Sequence, residues 1–299
     1  MLAPIAYASL VREWAAAAPG RDWLSPGARV EYTQHLGKDN IEFHALTFPS
    51  SIIGSGNIIR LVDRVKAFNW LTFPGGKFST SARRGVFADE ALEEFPADTW
   101  RWWLTANAPE TSDTLFSSRR FADGVNADLA NGFGNFVNRI LRFAVTNFGD
   151  SAPSAGEPGP AEEALAREVT ALAGACAAEF EALRFRRASS RIRELWTLGD
   201  RYVSDESPWT VLKSDPARAA CITRTALNLL GICAVVSSPV IPHAAGTVLD
   251  ALSAAPARWP FDPAALLAAP GGRRISVPPP LFPRIDDARV AALEARFGG

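Results

Sequence analysis

Apolar and polar positions alternate in strand fashion at residues 29–33 (RVEYT) and again at 66–73, and between them residues 41–48 follow a helical spacing. Strand, helix and strand in that order predict an α/β unit with parallel strands. Beyond residue 89 the period is helical: 121–147, 161–185 continuing to 203, 210–252, and a last stretch at 286–297. Two segments interrupt it. GDSAPSAGEPGPAEE (149–163) reads as a mobile connector between helices, and the Pro-rich run after about residue 254 reads as a strap lying over a surface. Residues 74–85 (PGGKFSTSARRG) combine Pro, paired Gly, hydroxyl side chains and three cations, which predicts a flexible electropositive loop.

The helix 125–143 (VNADLANGFGNFVNRILRF) has two faces. At about 100° per residue, Val125, Leu129, Phe133, Phe136, Ile140 and Phe143 fall on one apolar arc, which predicts a buried stripe. Asn135, Asn138, Arg139 and Arg142 fall opposite. Such an arc is either a solvated face or a set of amide and guanidinium donors for base edges and phosphates, and spacing alone does not choose. Ser207-Pro208 before Trp209 is a helix-start signal, with Ser as the cap and Pro at the first helical position. A Trp there is either core or a stacking platform for single-stranded RNA.

Composition narrows the partners. The chain has 299 residues with a net charge of -1, so it has no global field for nucleic acid, and any RNA contact must be local. Three cysteines, Cys176, Cys221 and Cys233, are too far apart for a metal knuckle and odd in number, which predicts no structural zinc, no disulfide framework and a reducing, cytoplasmic setting. The first 18 residues read neither as a signal peptide nor as a membrane span. Three histidines, at 35, 44 and 243, leave little room for histidine acid/base chemistry. In the loop, Lys77, Ser79, Thr80 and Ser81 offer an ammonium and hydroxyls suited to phosphate oxygens.

Six blocks in order, GKDNIEFHALTFPS (37–50), FNWLTFPGGKFSTS (68–81), ADTWRWWLTANAPETSD (97–113), NADLANGFGNFVNR (126–139), RYVSDESPW (201–209) and LFPRID (281–286), give a chain that resembles methionyl-tRNA synthetase over nearly its whole length. The resemblance implies a class I aminoacyl-tRNA synthetase, which activates methionine with ATP and passes it to tRNA. It implies an α/β remnant of a class I Rossmann catalytic domain followed by an all-α helical-bundle anticodon-binding domain. The corresponding segments are 1–75 for the catalytic portion, 76–120 for the signature loop and stem-contact helices, 121–255 for the anticodon-binding domain and 256–299 for a tail.

The implied residue roles follow the motifs. KFSTS resembles the KMSKS signature, which makes Lys77, Ser79, Thr80 and Ser81 the catalytic loop, with Phe78 and Thr80 departing from the pattern. The missing second lysine removes one charged contact to phosphate, for which Arg83 and Arg84 are partial replacements. Lys38 and Asp39 correspond to positions near ATP, which is expected with Mg²⁺. Ala3, Pro4, Tyr7 and His44 correspond to the methionine pocket, and a thioether is recognised by shape, aromatic contact and a single donor. Asn135, Arg139 and Trp209 correspond to readers of a CAU anticodon, so the polar arc and the Trp acquire one partner. Neither the family's HIGH-type signature nor its zinc-bearing insert is found in the chain, and Met1 falls inside the family's pocket block. Three arrangements therefore stand open: a fragment of a longer enzyme, one half of a split enzyme whose N-terminal half is another polypeptide, and a non-catalytic tRNA-binding paralogue. An amino-acid-activating ligase of specialised metabolism is a further alternative. In each catalytic case the isolated chain is expected not to support methionine-dependent ATP–pyrophosphate exchange.

Overall fold

The computed structural model describes residues 3–17, 23–56, 59–79, 84–255 and 259–297, with the side chains of Ala3, Pro4 and Lys77 outside the description. The chain divides into two compact units, one formed by residues 1–72 and 109–115, the other by 73–108 and 116–299.

The first unit begins with α1 (Ala3–Ala16) and β1 (Thr33–Gly37), continues through a 3-10 turn at Lys38–Asn40 and a π-helical turn at Phe43–Thr47 into α2 (Phe48–Gly54), and reaches β2 (Arg64–Phe68) and β3 (Leu71–Phe73). β1 and β2 pair in parallel, Thr33 opposite Arg64 through Gly37 opposite Phe68, as the strand–helix–strand pattern predicts. β1 nevertheless starts at the last residue of the segment expected to be a strand, because Tyr32 turns its N–H to the Asp63 carboxylate at 2.6 Å. Leu24, Phe48, Ile52 and Ile59 form this unit's core. Ile5, Leu10 and Ile53 stay exposed.

The chain then enters the second unit with β4 (Gly76–Lys77), α3 (Ala88–Glu94) and α4 (Ala97–Ala106), and returns to the first with β5 (Thr114–Leu115). β5 runs parallel to β3, Leu71 opposite Thr114 and Thr72 opposite Leu115. The single strand expected at 66–73 is broken at Asn69 and Trp70. There the Asn69 N–H donates to the Pro109 carbonyl at 2.8 Å and the Trp70 N–H to Asp113 at 2.9 Å.

The rest of the second unit is helical: α5 (Ser118–Val125), a π-helical stretch Asn126–Gly134, α6 (Asn135–Phe148), α7 (Pro160–Glu181), α8 (Phe185–Glu206), α9 (Pro208–Val211), α10 (Pro216–Ser237), α11 (Pro242–Ala251), α12 (Pro263–Leu267) and α13 (Asp287–Phe297). α10 is long and apolar enough to cross a membrane, yet its most apolar window is 94% buried inside the unit, so it is the core helix on which the others pack. Its polar residues hold the loops. Arg224 donates to the carbonyls of Ala155 and Gly156, both at 2.8 Å, and Asn228 to those of Leu267 and Ala269. The connector expected to be mobile is thereby tied to the core. The tail is a strap, as expected: Asn126 donates to the Ile285 carbonyl at 2.7 Å and accepts its N–H at 2.8 Å, while Phe282 and Ile285 are buried.

The apolar stripe of the long helix holds through Phe133 and then slips. Val125, Leu129, Phe133, Phe136 and Ile140 are buried as expected, but Val137, Leu141 and Ala144 join them while Phe143 is only half-buried. The cause is the π-helical stretch, where the Asn135 N–H reaches back five residues to Ala130, so each turn holds more than 3.6 residues and the facing residues advance along the chain. Ser207 also departs from expectation. It lies in the left-handed region at φ 42°, ends α8, and its hydroxyl donates to Ser204 rather than capping α9.

α8 meets α6 at Gly199, where an added Cβ would lie 2.5 Å from Phe136 Cζ and 3.2 Å from Leu229 Cδ2. Gly199→Ala gains about 1 kcal/mol of helix propensity but overpacks a closed contact at a cost of about 1–3 kcal/mol. The expected result is a lower Tm by thermal melting.

Candidate functional site

In the helical unit, α6 and the segment after α8 bring Arg139 and Trp209 together. The Arg139 guanidinium carbon stands 5.7 Å from the Trp209 ring centroid, within cation–π reach. Its Nη2 donates to Asp200 Oδ1 at 2.7 Å, while its Nε is buried with no partner. Burial pushes the Asp200 carboxyl above its usual range, and Arg139 opposes that shift. Trp209 is 39% exposed, with Phe143 edge-on behind it at 6.3 Å. The indole is thus in contact with Phe143 and Arg139 and remains partly exposed.

Asn135 is exposed at the start of α6, one turn before Arg139, and borders a cleft of about 390 Å³. Asn131, Asn138 and Arg142 line the same wall, and the strap residues 280–282 form the other. Arg142 Nε donates to Asn138 Oδ1 at 2.7 Å. Sequence reading missed Asn131, although it lies on the same polar arc, and missed Asp200 and the strap wall, which depend on packing.

In the first unit, His44 is buried on the π-helical turn, its ring 5.7 Å from that of Tyr7. Gln34 Oε1 lies 3.0 Å from His44 Nδ1, so Nδ1 is assigned as the donor. Gln34 in turn donates to the Tyr32 hydroxyl at 2.5 Å, and burial pushes that phenol above its usual range. Lys38 Nζ reaches Asp113 at 3.0 Å and Asn69 at 3.3 Å and lies 5.8 Å from the Trp70 ring centroid. Asp39 is exposed beside it.

The signature loop belongs to the second unit. Ser79 and Arg84 exchange backbone hydrogen bonds at 2.9 Å, closing a hairpin. Phe78 packs edge-on against Phe73 at 5.4 Å and fills the space where a Gly85 Cβ would be, 2.2 Å from its ring. The aromatic departure from the signature pattern is thus an anchor for the hairpin. Thr80 and Ser81 lie outside the described residues.

Among the described residues, no group of three or more His, Cys, Asp and Glu could hold a metal ion. The three cysteines are buried and unpaired, and burial pushes the Cys176 thiol up to about 12.

Comparison with known proteins places the chain in one family. A family model for class I tRNA synthetases (M) matches residues 1–141, and one for the anticodon binding domain of methionyl tRNA ligase matches 152–299. Methionine–tRNA ligases of Caulobacter vibrioides and Maricaulis maris are 48% and 47% identical, each aligned over 99% of this chain and 54% of its own length. Among solved structures, Mycobacterium tuberculosis methionyl-tRNA synthetase in complex with methionyl-adenylate superposes with a TM-score of 0.77 at 27% identity, covering 92% of this chain and 55% of that one. The chain spans about half the length of the curated relatives it matches. Two adjoining family models and the relatives agree: the chain belongs to the methionyl-tRNA synthetase family.

Proposed function

We propose that the chain reads the CAU anticodon of methionine tRNA and forms part of a methionine–tRNA ligase. The observation that carries this is the Arg139–Trp209 cation–π pair, with Asn135, one turn before Arg139 on α6, at the edge of a polar cleft. A flat aromatic face stacks a base, while a guanidinium and an amide one turn apart address its edge. Local recognition of this kind suits a chain whose net charge is -1.

In the same reading, Ala3, Pro4, Tyr7 and His44 recognise the methionine side chain, with aromatic contact from Tyr7 and a His44 ring oriented by Gln34. Lys38 and Asp39 serve ATP, as ammonium for phosphate and carboxylate for a ribose hydroxyl. Lys77, Ser79, Thr80 and Ser81 are the loop that contacts the phosphates as the adenylate forms. Mg²⁺ is expected to arrive on the triphosphate, which leaves few coordination places for protein carboxylates. Adenylate chemistry is assigned to this chain together with the remaining length its relatives carry, within one polypeptide or supplied by another. The setting proposed is cytoplasmic, in keeping with three unpaired thiols.

Binding of a CAU anticodon stem-loop to the purified chain tests the reading. Trp209→Ala is expected to lose about 1–3 kcal/mol of affinity, the typical worth of one base stacked on an aromatic ring. Unchanged affinity in that variant, or equal binding of a stem-loop with an altered anticodon, refutes it.

A further inference from the structure

Arg139 is committed before any RNA arrives. A guanidinium is a rigid planar fork with five donors, so holding one arm restricts where the others point. Here Nη2 is held by Asp200 at 2.7 Å, the carbon lies 5.7 Å from the Trp209 centroid, and Nε is buried without a partner. We propose that Asp200 is a specificity-determining residue: it orients Arg139 beside Trp209 and cancels its charge, so that the site selects base edges in preference to phosphate. The proposal rests on the anticodon reading above.

A guanidinium on a surface attracts phosphate, which carries no sequence information. A carboxylate on one arm removes the net charge that drives this attraction and leaves directional donors to be satisfied by a base. Asp200 is suited to the role by position. It follows Gly199, where α8 and α6 meet closely, so its carboxylate reaches Arg139 on the facing helix. The neighbouring Arg201 is engaged separately with Glu168 at 2.7 Å, and Arg142 with Asn138. The pair is a third to two-fifths exposed, with side-chain exposures of 34% and 40%, which leaves it open to a ligand and of little worth to stability.

The test measures binding of the full 299-residue chain to a CAU stem-loop and to one with an altered anticodon, for wild type, Asp200→Asn, Asp200→Ala, Arg139→Ala and the double variant Arg139→Ala/Asp200→Ala. Asp200→Asn and Asp200→Ala are each expected to narrow the preference for CAU by roughly tenfold. The slope of log K against log salt should steepen by about 0.7, the value of one further single-strand phosphate contact. In the Arg139→Ala background, Asp200→Ala should change neither quantity, a result that a merely structural role would not give. Asp200→Asn is nearly isosteric and keeps the test valid if the alanine variant melts early.

Unchanged preference in both Asp200 variants, with Arg139→Ala losing it, overturns the proposal and leaves the anticodon reading standing. Tighter and more selective CAU binding in those variants also overturns it. A wild-type chain without preference for CAU removes both.

Discussion

Glu162→Ala is expected to cost the helical unit about 3–5 kcal/mol, the usual penalty for breaking a buried ion pair by removing one partner. Glu162 is only 5% exposed. It accepts from both arms of Arg218, at 2.8 and 2.9 Å, from the Gly159 N–H at 2.7 Å, and from the Tyr202 hydroxyl. It also lies in the first turn of α7, where the helix dipole favours an anion. Removal leaves Arg218 with Glu206 as its remaining carboxylate and deprives the buried Tyr202 hydroxyl of its Glu162 acceptor. Urea unfolding at neutral pH measures the loss.

The same residue gives acid sensitivity. Burial alone would raise the Glu162 carboxyl, but the hydrogen bonds from Arg218, Tyr202 and Gly159 outweigh burial and hold it below its ordinary value of 4.5. A carboxylate depressed in the folded state contributes its stability above the unfolded value and loses it as pH falls through the folded one. Wild-type stability should therefore fall below about pH 4.5, and Glu162→Gln should flatten that part of the profile. An equal acid slope in the variant would assign the effect to other groups.

Phe133→Ala is the second large expected effect, about 3–5 kcal/mol for a fully buried aromatic ring. Phe133 stacks on Trp196 at 4.8 Å, and Trp196 continues to Trp102 at 4.6 Å, so the lost ring opens a cavity in a continuous aromatic column. Phe133 is fully buried, which places the cost in the upper part of the Leu-to-Phe range. Chemical denaturation should show a reduced midpoint with an unchanged slope.

Local pattern revealed most of the helical unit, because each long helix carries a stripe that its own sequence displays. The misses have longer-range causes. The break at Asn69 and Trp70 is made by Pro109 and Asp113, some forty residues away, which no local period reports. The strand Thr33–Gly37 (TQHLG) has little apolar alternation, and its register comes from its pairing with β2. In the candidate site, Asn135, Arg139 and Trp209 were named from motif resemblance. Asn131 was visible on the same arc but was passed over. Asp200 was not legible, since its pairing with Arg139 depends on two helices meeting at a glycine.

The π-helical stretch Asn126–Gly134 separates two jobs along one continuous helix. Upstream of it α5 is keyed to α4 through Phe121, whose ring lies 4.2 Å from that of Trp100 and 6.2 Å from that of Trp103, and downstream α6 carries Asn135 and Arg139. The wider turn works as a phase adjuster: adding or removing a single residue there would rotate the face that carries Asn135 and Arg139 by about one helical step while leaving the upstream contacts in register. A lineage could thus retune which side chains that face presents through one insertion or deletion, with no new residue required in either half of the helix.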